Sequence, residues 1–115
     1  MYSSVVKKLV HDLPNRGSLK TATHRAEGEN PVCGDQIELF LQVEEGRVVD
    51  CHFQANGCPA AIASAAALTL MVKDKSLQEC LDMTESALLE YLEGLPSHKL
   101  HGAQLALEVL RRALT

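Results

Sequence analysis

Between Asp50 and Lys73 the chain carries no Asp, Glu, Lys or Arg: 22 residues, Cys51 to Val72, without a formal charge of that kind. A segment so poor in charge must be enclosed, by lipid or by the rest of the chain. Its own residues decide between the two. His52, Gln54 and Asn56-Gly57-Cys58-Pro59 interrupt it, so the continuous helical part runs only from Pro59 to Val72. At about 1.5 Å per residue that helix reaches roughly 21 Å, short of a ~30 Å hydrocarbon core. It is also largely alanine, which is weakly apolar. The expectation is a buried helix in a protein with no membrane partner, with a single domain over 1–115 built around it.

Composition narrows the partners. The 115 residues are 46% hydrophobic and 23% charged, which supports a folded core rather than disorder. Eleven basic against fifteen acidic residues give a net charge of −4, and aromatics are only 3%. Phosphate-backbone binding needs the opposite charge balance and base stacking needs aromatics, so nucleic acid is excluded. The first residues, Met1 to Val10, have apolar runs of two interrupted by Lys7 and Lys8, unlike a secretory signal. Cys33, Cys51, Cys58 and Cys80 are therefore expected as free thiols or metal ligands of a cytoplasmic protein.

Periodicity predicts the elements. Tyr2 to His11 forms a short helix that Leu13-Pro14-Asn15-Arg16-Gly17 stops. Ser18 to Pro31 reads as an irregular surface segment. Ile37, Leu39, Leu41 and Val43 alternate with Glu38, Phe40, Gln42 and Glu44 as a strand, Glu45-Gly46 turns, and Arg47 to Gln54 returns with Val49, Cys51 and Phe53 inward. The period then changes to 3.6. After the alanine-rich helix come a capping box at Ser76-Leu77-Gln78-Glu79, a helix from Thr84 to about Glu93, and a last helix from about His101 to Leu114. The fold class is α+β: a small antiparallel sheet, a hairpin plus a short strand, with helices packed on one face.

Three segments place soft or borderline ligands on tight backbone: Asn30-Pro31-Val32-Cys33-Gly34-Asp35, Asn56-Gly57-Cys58-Pro59, and Leu95-Pro96-Ser97-His98-Lys99-Leu100-His101-Gly102. Cys58 and His101 stand at predicted helix starts, where exposed N–H groups favour a thiolate. Two thiolates, one carboxylate and one imidazole suit zinc or iron. Cys51, inward on its strand, and Cys80, among Leu77, Leu81 and Met83, read as core residues. His11, His24, His52 and His98 read as surface residues.

In this order and spacing the segments resemble the iron–sulfur cluster scaffold family, the IscU type and the N-terminal domain of NifU, over nearly the whole chain. Val5-Val6 through Leu13-Pro14-Asn15-Arg16-Gly17-Ser18-Leu19 is similar to that family's opening helix and turn. Cys33-Gly34-Asp35 is similar to its first ligand motif, and Phe53-x-x-x-Gly57-Cys58-x-x-Ala61-Ile62-Ala63-Ser64 to its second. Val72-Lys73-Asp74-Lys75-Ser76-Leu77-x-Glu79 is similar to its helix junction, and Leu95-Pro96-x-x-Lys99-x-His101 to its third motif. The resemblance implies an IscU/SufE-like fold and a non-enzymatic scaffold. Such a scaffold binds iron and sulfide or a nascent cluster, of 2Fe-2S type, and passes it to acceptor proteins. It also implies a ligand set of Cys33, Asp35, Cys58 and His101, a cysteine desulfurase as partner, and a possible homodimer sharing one cluster. Gly102 stands where the family has a third cysteine, the expected acceptor of persulfide sulfur. That departure supports an alternative: a zinc-binding or sulfur-relay protein that docks on a desulfurase without building clusters. Gly102→Cys is expected to restore the third thiolate.

Overall fold

The computed structural model describes residues 1–115. Helix α1 (Ser4–Asp12) is followed by strands β1 (His24–Asn30), β2 (Asp35–Glu44) and β3 (Arg47–Asn56). Helices α2 (Pro59–Met71), α3 (Leu77–Leu81), α4 (Glu85–Tyr91) and α5 (Leu100–Leu114) complete the chain, with a 3-10 turn at Ser97–Lys99 leading into α5. The sheet is antiparallel in the order β1-β2-β3. Both residues of the β2–β3 turn, Glu45 and Gly46, have positive φ (52° and 77°), the conformation that matches the twist of a two-residue hairpin.

The alternation foreseen in β2 holds for three of its four inward residues, while Val43 is only half-buried and Phe40 on the other face is buried too. Ile37, Leu39 and Leu41 are buried and meet Cys51 and Phe53 of β3 on the face covered by α2 and α5. Helix α2 is enclosed on nearly every side: Ala60, Ala61, Ala63, Ala65, Ala66, Ala67 and Leu68 are fully buried. That is the enclosure its lack of charge demanded, and no helix is long and apolar enough to cross a membrane. Start signals also hold. Ser3 accepts from the Val6 N–H and Thr84 from the Ala87 N–H, and Ser76 and Glu79 form the reciprocal box.

Two expectations are corrected. The segment Ser18–Pro31 is not irregular throughout, since β1 runs for seven residues along the first seven of β2, from His24↔Leu41 to Asn30↔Asp35. Its outward residues are Arg25, Glu27 and Glu29, while the half-buried alternates are His24, Ala26, Gly28 and Asn30. Those alternates are small or polar, so no apolar rhythm marks the strand. Gly28 is small where α5 packs directly on β1, since a Cβ there would lie 2.9 Å from Val109. The second correction is Val49, which is exposed while Val48 is fully buried. A bulge between Gln42 and Val43 shifts the register, pairing Val43 with Val48, and moves the inward position back by one residue.

Candidate metal centre

The site forms where three chain segments meet at one end of the sheet. Pro31–Gly34 is the turn joining β1 to β2, closed by a Gly34 N–H donating to the Asn30 carbonyl. Cys33 lies exposed on this turn. Asp35 opens β2, and its side chain is only 1% exposed. Cys58 is the N-cap of α2, half-buried, with Pro59 at the first helical position. His101 is in the first turn of α5, its side chain 22% exposed.

The buried Asp35 carboxylate organises the others. Its Oδ1 accepts the Cys58 backbone N–H at 2.9 Å. Its Oδ2 lies 3.1 Å from His101 Nε2 and 3.7 Å from Cys58 Sγ. Cys58 Sγ is in turn 3.9 Å from His101 Nε2. A carboxylate this deep needs donors, and a helix-start N–H, an imidazole and a thiol supply them. The thiol and imidazole hydrogens are ones that a metal ion would displace, while the Cys58 amide hydrogen stays on Oδ1. Gly57 makes the geometry possible: it has φ 131°, and a Cβ there would fall 2.2 Å from Asp35 Oδ1.

All four residues expected at the site are therefore close, though not as one set. The ligand atoms of Cys33, Asp35 and His101 all lie within 4.8 Å of one another. Cys58 touches Asp35 and His101 but falls outside that three-donor group. Sulfur, oxygen and nitrogen from these four make a mixed set matched to borderline ions such as Fe²⁺ and Zn²⁺. Cys51 and Cys80 take no part, being 2% and 1% exposed. Burial above all, with Asp50 and Cys80 adding, pushes the Cys51 thiol up to about 12, so it stays protonated. Burial also raises the Cys80 thiol, which Glu79 reinforces and Lys75 opposes.

Residue reasoning overlooked the space around Gly102. A Cβ built there would lie 2.7 Å from the Ala61 nitrogen, 2.8 Å from the Ala60 carbonyl carbon and 3.1 Å from the Ala60 Cβ. The first turns of α5 and α2 touch backbone to backbone. The repair expected from Gly102→Cys thus has no room in this packing, because any side chain would press into α2 first. Only the run of small residues at Ala60 and Ala61 hinted at so close an approach.

The chain is similar to known proteins in both sequence and fold. The family described as "NifU-like N terminal domain" matches residues 1–115. The chain is 40% identical over 114 residues to the iron-sulfur cluster assembly scaffold protein IscU 1 of Archaeoglobus fulgidus, covering 99% of this chain and 74% of that one. It is 36% identical over 123 residues to the nitrogen fixation protein NifU of a Nostoc species, spanning 98% of this chain and 40% of the longer protein. In fold it is similar to a crystal structure of a NifU-like protein (N-terminal) from Brucella abortus, with a TM-score of 0.78 at 15% identity, covering 97% of this chain and 90% of that one. With its whole length matched, the chain belongs to the family of NifU-like N-terminal domains.

Proposed function

We propose that this chain is an iron–sulfur cluster assembly scaffold, with Cys33, Asp35, Cys58 and His101 as its ligands. The carrying observation is the convergence of these donors, from three separate segments, around a buried carboxylate. The names of the Archaeoglobus and Nostoc relatives support the reading. Iron and sulfide are cargo here. The chain's own residues hold and release them and break no covalent bond, so it acts as a non-enzyme. The natural product is a 2Fe-2S cluster, held labile by Asp35 or His101, or by the Cys33 and Cys58 thiolates of two copies in a homodimer. A cysteine desulfurase would supply the sulfur and apo-proteins would take the cluster, in the cytoplasm.

A second reading has its own observation. With no thiol at Gly102 and no space for one, the site offers two sulfurs per chain, a set that also holds zinc. On that reading the protein docks on a desulfurase, zinc-loaded, without building clusters.

Anaerobic reconstitution separates them. The scaffold develops visible sulfide-to-iron absorption with near-equal iron and acid-labile sulfide per chain. Stoichiometric zinc that resists iron and sulfide, with no such absorption, overturns the scaffold reading and favours the second.

A further inference from the structure

We infer that Gly102 is a positioning residue: the absence of a side chain at 102 sets His101 on Asp35 and Cys58. This rests on the proposed ligand set. Gly102 has no positive φ to explain it, so the demand is for space. Ordinary contact for a Cβ begins at 3.4 Å, and the Ala61 nitrogen would be at 2.7 Å. The two nearest opposing atoms are helix backbone of Ala60 and Ala61, both fully buried, and do not swing aside. Any side chain must therefore drive the two helix starts apart by roughly 0.7 Å.

The consequence falls on the site because the neighbours of this contact are ligands. Cys58 immediately precedes the turn of α2 that Gly102 touches, and His101 immediately precedes Gly102. The His101 Nε2 contacts, 3.1 Å to Asp35 and 3.9 Å to Cys58, bridge the same gap. Widening that gap breaks the imidazole–carboxylate hydrogen bond, whose reach ends near 3.2 Å. It leaves Asp35 and Cys58 together, since the Cys58 N–H to Oδ1 bond does not involve α5. In this packing Gly102 thus keeps the imidazole in the set.

The test uses Co²⁺ as the probe on the full chain, reading thiolate-to-cobalt charge transfer and the tetrahedral d–d bands. Gly102→Ala is expected to weaken Co²⁺ binding ten- to a hundredfold and to shift the d–d bands as the imidazole is lost. Val109→Ala, two turns along α5 and fully buried, is expected to lower the melting temperature while keeping affinity within about twofold. In the metal-free protein, Gly102→Ala should also speed alkylation of Cys58 several-fold relative to Cys33. Should Gly102→Ala fail to fold, Ala60→Gly/Gly102→Ala removes the 3.1 Å contact but keeps both backbone clashes, and is read the same way. Wild-type affinity, spectrum and Cys58 reactivity in the folded variant overturn the inference. Absence of Co²⁺ binding in the wild type overturns the ligand set instead, and the alkylation rates then decide the role of Gly102 alone.

Discussion

Two cysteine pairs share this small domain and live in opposite surroundings. Cys33 and Cys58 stand where the chain changes direction, one on a hairpin turn and one at a helix start. Cys51 and Cys80 stand inside regular elements, on the inward side of β3 and the buried side of α3. The first pair reaches a carboxylate and an imidazole. The second pair meets apolar packing and a thiol held protonated. What a thiol does is decided by its place on the backbone: turns and helix starts bring polar partners and access, while strand interiors bring burial.

The sharpest way to break this contrast is to ask which pair holds metal. Cys33→Ala and Cys58→Ala should each lower retained iron or zinc by at least about a hundredfold in affinity, whereas Cys51→Ala should leave it unchanged. Elemental analysis of anaerobically prepared protein reads the result. Equal loss in a folded Cys51→Ala variant would dissolve the distinction.

Stability should rank the pairs the other way. Cys51→Ala and Cys80→Ala each remove a buried sulfur and should cost about 1–2 kcal/mol, several degrees of melting temperature. Cys33→Ala should stay within about 0.5 kcal/mol of wild type, since Cys33 is exposed. Thermal unfolding of metal-free protein checks the order.

Alkali should expose a further difference. The unfolded chain ionises Cys51 near its ordinary value of 9.0, while the folded chain holds the proton to about 12. Between those values the native state binds more protons than the unfolded one, so stability falls as pH rises. The contribution is complete below about 9 and spent by about 12. Denaturant midpoints of the wild type should therefore drop from about pH 9 upward, and Cys51→Ala should drop less steeply.

Much of this was legible in the chain. The uncharged run announced an enclosed helix, and alternation from Ile37 to Val43 announced β2. Capping residues Ser76 and Thr84 placed α3 and α4 to within a residue or two at their starts. What escaped notice was whatever depended on a neighbour far away in sequence. Strand β1 is a strand because β2 and α5 make it one, and its small inward residues carry no signal of their own. Val49 is turned outward by a bulge across the ladder. The donors Cys33, Asp35, Cys58 and His101 stood out by residue type, yet the side-chain-free gap that joins two of their helices did not. A glycine in sequence looks the same whether it serves a turn or a close approach.

The start of α5 has a consequence for how cargo would leave. No side chain caps that helix, as Lys99 in the capping position makes no such bond. A missing cap leaves a helix end about 1 kcal/mol easier to fray. The other helix start at the site has Pro59 to stiffen it and Asp35 to take up the Cys58 N–H. On the proposed ligand set, cargo would leave by the imidazole vertex first, since packing at Gly102 and not a cap holds that helix start, while the two thiols and the carboxylate belong to the sheet side and α2.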